Sequence, residues 1–233
     1  MSELLLNLVT AVMSDRLSAA HVTAASTVAT GVSELLKTVM RGRQEAAAKI
    51  LCEELKAGTH KLDEEDLPDA VAILYRFQRA AEEGAARLNL RLLAAVFSGQ
   101  ATQKSIAADD FLYLADILAP LKREEIILLG TMLRLHSGEG EEAKSPKDIY
   151  VALVNELVPS VFEDGADFRA TAGALLRTGL LVANVPPTTY GSGGNGLIYE
   201  PTRLLFRLNG LANIEGVLHR TDVAAGQQCN TTT

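Results

Sequence analysis

Apolar residues recur along this chain at helical rather than strand spacing. From residue 67 to 97, Leu74, Phe77, Ala81, Ala85, Leu88, Leu92 and Ala95 return at intervals of three, four or seven, which aligns them on one face and predicts a single amphipathic helix. Leu74, Phe77, Leu88 and Leu92 are its predicted core. Upstream, residues 3–57 read as one long helix or two collinear ones. Leu17, Val28 and Val39 lie eleven apart, with Ala24 and Leu35 on the same spacing, and that period keeps a stripe aligned over three turns per repeat. Such a stripe calls for a partner helix. A helical hairpin within the chain supplies one, and homo-oligomerisation through the N-terminal helices is the alternative. Gly31 and several threonines lower helix propensity there and mark a candidate kink.

The breaks between these patterns set the organisation. Gly58-Thr59-His60 ends the first region, and Asp63, Glu64, Glu65 and Asp66 with Pro68 open the next, carboxylates and a first-turn proline both suiting a helix start. Ser98-Gly99-Gln100 reads as a polar joint, followed by shorter helices at 109–118 and 120–135. The acidic stretch 137–142 is the internal boundary the pattern favours, since few contacts cross so polar a segment. Ser145-Pro146-Lys147-Asp148 caps a helix at 149–158, which Pro159 interrupts. Gly165-Ala166-Asp167-Phe168 then leads into a segment that turns Phe168, Ala172, Leu175 and Leu176 inward, with Gly179 as its stop. Residues 180–185 and 197–200 predict two strands around a long turn. The fold class is therefore mainly α: an N-terminal helical bundle or set of hairpins over 1–119, and a module with one β-hairpin, at about 180–207, over 120–216. Residues 217–233 are expected to be a flexible tail, because no large apolar residue follows Val223.

The order helix, helix, helix, strand, loop, strand over about residues 121–210 resembles a winged helix, a variant of the helix-turn-helix class. The residues that carry the likeness are Leu175-Leu176-Arg177-Thr178-Gly179-Leu180-Leu181, the loop 186–196, and Tyr199-Glu200-Pro201-Thr202. Such a fold serves DNA binding and protein contacts alike. The resemblance implies that residues 167–178 hold the recognition-helix position, with Asp167, Ala170, Thr171, Ala174, Arg177 and Thr178 outward; Thr171, Ala174, Arg177 and Thr178 form the candidate interaction face. Only Arg177 is basic on that face, and no Lys or Arg falls between it and Arg203. A DNA reader draws much of its affinity from neutralising phosphates, so another protein is the expected partner.

Composition sharpens this in a few places. With 48% apolar and 22% charged residues the 233-residue chain has the means to fold without staples, and its two cysteines, Cys52 and Cys229, are no disulfide framework. A reducing, cytoplasmic setting follows. Aromatics at 5% and the lack of tryptophan suit helix packing over a β-sandwich core. The apolar run 4–13 has a signal-like core but is preceded by Glu3 and no Lys or Arg, and no stretch reaches the ~18 apolar residues that span a bilayer, so no membrane partner is expected. A net charge of −7 opposes non-specific attraction to nucleic acid. Against that background Arg76, Arg79, Arg87 and Arg91, within about a third of the circumference at ~100° per residue, form a candidate basic ridge for phosphate or an acidic protein. Glu83 stands four residues from both Arg79 and Arg87, which favours an ion-paired, solvated face.

No other motif supplies chemistry. Gly191 to Gly196 spells GxGxxG, but a dinucleotide site needs a helix after the glycines, and a strand is predicted there. His21, His60, His136 and His219 have no partner at metal-ligand spacing. The acidic group 63–69 lacks the alternating oxygens and central glycine of a calcium loop. Cys52 sits beside Glu53-Glu54, which oppose a thiolate, and is expected to be a packing residue, whereas Cys229 is expected to be exposed. No catalytic, cofactor or metal residues are assigned. The chain reads as a non-catalytic interaction or regulatory protein, with a DNA-binding transcriptional regulator as the alternative and an enzyme with an unrecognised site as a third reading.

Overall fold

The structure is a computed structural model and describes residues 5, 7–12, 30–56, 62–137, 145–185 and 197–229, the side chains of 30–37 and 224–229 excepted. It is mainly α, with one small antiparallel hairpin among the described residues. The chain divides into two compact units, residues 1–120 and 121–233. The acidic stretch 137–142 is not the division: the helices on either side of it pack together inside the second unit. Apart from Ser137 it lies outside the described residues, as do His21, Gly58-Thr59-His60 and the 186–196 loop with its glycine string.

The first unit is built from α1 (Thr30–Lys56), α2 (Leu67–Glu83), α3 (Arg87–Gln103) and α4 (Ala108–Leu118), with residues 7–12 also helical. α1 runs unbroken from Thr30 through Gly31. Leu17, Ala24 and Val28 of the eleven-residue stripe lie outside the described residues, and Val39 at its far end is exposed. The inward face of α1 is instead Ala47, Ile50, Leu51 and Leu55, at spacings of three, one and four.

The single helix expected over 67–97 is two. Gly84, at φ +91°, takes the left-handed conformation that a Cβ disfavours; its N–H returns to the carbonyls of Ala80 and Ala81, ending α2. α3 then starts at Arg87 and continues through Ser98-Gly99-Gln100, so the expected polar joint lies inside a helix. Those polar side chains are turned to use there: Ser98 Oγ meets the Glu54 carbonyl at 3.3 Å, and the Gln100 amide donates to Ala107 O. From Leu88 to Phe97 α3 is buried on every side, packed among α1, α2 and α4. The predicted core residues Leu74, Phe77, Leu88 and Leu92 are all buried.

The second unit holds α5 (Arg123–Ser137), α6 (Pro146–Leu157), α7 (Gly165–Leu175), strands β1 (Leu181–Asn184) and β2 (Ile198–Pro201), then α8 (Arg203–Ala212) and α9 (Ile214–Cys229). Local chemistry sets most of these ends. Ser145 Oγ accepts from Asp148 N and Pro146 fills the first turn of α6; Asp164 caps α7; Thr202 caps α8. A 3-10 turn, Leu176–Thr178, tightens the end of α7 before Gly179 at φ +71°. The strands pair with Val182 opposite Glu200 and Ala183 opposite Tyr199. Phe168 forms edge contacts with Tyr150 and Phe162, the centre of an aromatic core.

Beyond Pro201 two expectations are corrected. The hairpin does not extend to 207, because Thr202 starts a helix whose Leu205, Leu208 and Ala212 face inward. The chain from 217 is not a loose tail: α9 continues to Cys229, with Val217 and Thr221 buried. α9 packs on α5, so closely that a Cβ on Gly130 would stand 2.9 Å from Leu218 Cδ1. Ile214 and Val217, both buried, thus anchor the start of α9.

Candidate interaction surface

The face of α7 comes first. Asp164 organises its start by accepting from the N–H groups of Ala166 at 2.7 Å and Asp167 at 2.9 Å. Those backbone donors hold its carboxyl below the usual carboxylate range. Outward from that cap, Asp167 and Ala170 are exposed, Thr171 and Ala174 are half-buried, and Phe168, Ala172 and Leu175 point into the core, whereas Leu176, expected inward with them, is only half-buried because it opens the 3-10 turn. Thr171 and Ala174 therefore do share one helical face. Arg177 and Thr178 do not continue it at 100° per residue, because they belong to the tighter 3-10 turn.

Both of these last residues have local work. Thr178 Oγ1 donates to Leu175 O at 2.6 Å and receives Leu180 N at 3.2 Å, which closes the helix end. Arg177 donates to Ala174 O at 2.9 Å and lies 3.6 Å from the carboxylate of Glu125, a buried residue on α5. Arg169, the one cation of α7 itself, lies over Gly165, and its charge acts weakly on Asp164.

The four arginines of the expected basic ridge do not form one. The break at Gly84 puts Arg76 and Arg79 on α2 and Arg87 and Arg91 on α3. Arg76 binds Asp116 at 2.8 Å, and Arg79 binds Glu83 at 2.8 Å as an exposed pair one turn apart. Arg87 is exposed at the first residue of α3. Arg91 is 4% exposed and lies between α1 and α3, 2.6 Å from Glu53 and 3.4 Å from Glu54. Glu54 is buried to the same degree, so the pair is an internal ion cluster rather than a surface for phosphate. The Arg91 Nε meets no hydrogen-bond acceptor among the described residues.

The sequence reading passed over the surface of α8. Arg203, Phe206, Arg207 and Gly210 are exposed along it, and His136 at the end of α5 meets the Phe206 ring edge-on, with centroids 6.3 Å apart. The signal was present: Thr202 followed by Leu205, Leu208 and Ala212 is a cap and an apolar stripe. On α5, Arg134 is held by Glu156 and Glu215, and the hydrogen bond to Glu156 raises its already high pKa.

Among the described residues no three His, Cys, Asp or Glu side chains gather in a way that would hold a metal ion, and no helix is long and apolar enough to cross a membrane. Cys52 is a half-buried free thiol on α1. No protein-family model, curated protein or solved structure matches the chain.

Proposed function

We propose that this chain is a non-catalytic interaction protein of the cytoplasm, whose residues 121–233 form a winged-helix-like module that contacts another protein. Three helices followed by a β-hairpin, in that chain order, support the winged-helix reading. The observation that carries the choice of partner is the fate of the cations on α7 and its 3-10 turn. Arg177 is spent on the Ala174 carbonyl and the Glu125 carboxylate, which leaves Arg169 as the one exposed cation of the helix. A recognition helix needs cations free to meet phosphate, and residues 121–233 carry fewer Lys and Arg than Asp and Glu.

Titration of the full chain into a labelled mixed-sequence DNA duplex at low and at physiological salt tests this reading. The expected result is affinity no tighter than the non-specific range, about 10⁻⁶ M or weaker at physiological salt. Tight binding with a steep inverse dependence on salt, abolished by Arg177→Ala, would overturn it in favour of a DNA-binding regulator.

A further inference from the structure

α9 leaves α8 through a single residue. Asn213, between Ala212 and Ile214, stands at φ +47° and ψ +73°, the left-handed region that a residue with a Cβ enters at a cost. Two side chains hold the bend: Asn209 Oδ1 accepts from Ile214 N at 3.0 Å, and Asn213 Oδ1 accepts from Gly216 N at 3.1 Å. Glycine at 216 makes room for that second cap, since a Cβ there would lie 2.9 Å from Asn213 Nδ2. Were the bend to straighten, both N–H groups would meet backbone carbonyls four residues back, so hydrogen bonds at the hinge are exchanged rather than lost, and the left-handed cost is relieved. Bent and straight forms are therefore close in local energy.

What α9 grips is a surface that a second copy also carries. α9 packs on α5, whereas α8 packs on β2. The pair α5 and α9 runs antiparallel: Arg134 in the last turn of α5 binds Glu215 in the first turn of α9 at 2.8 Å, and Arg123 at the start of α5 binds Asp222 at 2.6 Å. Ile214 and Leu218 stand over Gly130, 3.6 and 2.9 Å from where a Cβ would lie. None of these contacts requires that α9 belong to the same chain as α5. A terminal element joined through one strained residue meets the condition that favours its exchange between copies.

We infer that α5 is a docking surface for the α9 of a second copy of this chain. Asn213 straightens, α8 and α9 merge into one helix over 203–229, about 40 Å long at ~1.5 Å per residue, and each copy seats its α9 on the α5 of the other. The two ion pairs and the contact over Gly130 re-form across the dimer. This inference goes beyond the protein-contact reading above and does not depend on it.

Two measurements on the full chain test it. Light scattering over a range of concentrations compares Asn213→Ala with Asn213→Gly. Both lose the Gly216 cap, but alanine disfavours the bend and favours the straight helix, whereas glycine does the reverse. Each dimer opens a hinge in both copies, so the difference enters twice, and the alanine variant is expected to dimerise about tenfold or more tightly than the glycine variant. The second measurement locates the seam. Arg123→Glu and Asp222→Arg each set like charges between α5 and α9 of one chain, and an exchanged heterodimer of the two restores opposite charges at both seams. Co-expressed in the Asn213→Ala background and weighed by native mass spectrometry, they are expected to form heterodimer well beyond the statistical proportion. Equal behaviour of the alanine and glycine variants, whether monomeric or dimeric, overturns the inference. So does a heterodimer at or below the statistical proportion, for the copies would then meet elsewhere, as through the N-terminal helices.

Discussion

Between α1 and α3 of the first unit lie Arg91, Glu53 and Glu54, and Gln78, Asn89 and Gln100 are also buried within residues 1–120. In the second unit the corresponding place is taken by rings: Phe168 with edge contacts to Tyr150 and Phe162, and Tyr199 tilted against Tyr150. The difference lies in what each interior demands. Rings pack in several related arrangements at modest cost, whereas a buried guanidinium tolerates only a register that brings carboxylates to it. The first unit is thus specified by where charge is allowed to be, and the second by shape and by the caps that set its helix ends.

The largest expected effects break each interior in turn. Arg91→Ala removes the cation that lies 2.6 Å from Glu53 and 3.4 Å from the buried Glu54, and should cost about 3–5 kcal/mol in chemical denaturation. Replacing the pair together, Arg91→Met with Glu54→Leu, should cost much less, because the buried carboxylate goes with its cation and the remaining Glu53 is partly exposed to water. If the single and double variants lose the same stability, charge does not specify the first interior. Phe168→Ala should cost about 3–5 kcal/mol for a different reason, the loss of packing and the cavity left behind. No second substitution on a neighbouring ring should rescue it as the double replacement rescues Arg91.

Smaller effects probe the ends of helices. Gly84→Ala forces a Cβ into the left-handed region and should destabilise the first unit by about 1–2 kcal/mol; a neutral result would mean that α2 and α3 tolerate another joint. Ser145→Ala removes the acceptor for Asp148 N and should cost about 1 kcal/mol, seen as a lowered midpoint of unfolding. The smallest concerns pH. Burial raises the Tyr150 pKa above its ordinary value near 10, with Tyr199 adding to the shift and Arg169 opposing it. A raised folded value stabilises below the unfolded pKa, and that contribution is lost as pH climbs from about 10 through the folded value. Tyr150→Phe should remove this part of the alkaline loss in circular dichroism above pH 10, and an unchanged profile would place the sensitivity elsewhere.

The contrast between the units also explains what was legible in the sequence. Caps and stripes are local, so Ser145-Pro146-Lys147-Asp148, the inward set Phe168, Ala172 and Leu175, and the two strands were readable from neighbours alone. Arg91 was not. A helical wheel ranks positions by one axis, and α3 is buried all round, so the angle that put Arg91 on an outer ridge carried no information about exposure. Its partners come from α1, far along the chain, and no local pattern announces them. Gly84 stood in plain view inside a continuous apolar period, and the break it makes depends on a backbone angle the period does not encode. On the candidate surface, the α7 face was legible as far as Leu175 and failed where the turn tightened. The α8 face was missed for a simpler cause, an expected hairpin drawn out to about 207 over the start of a capped amphipathic helix.

The contact between α5 and α9 has a consequence for how this chain diverges over time. With Leu218 Cδ1 2.9 Å from where a Cβ on Gly130 would stand, room at one position is set by the residue at the other. A lineage that acquires Ala or Ser at 130 gains helix propensity there and comes under pressure to shorten or turn aside residue 218. One that keeps Leu218 retains glycine at 130 in spite of its propensity cost. Descendants of this sequence should therefore carry the two substitutions as a linked pair, a mark of common ancestry that outlasts most of the surface.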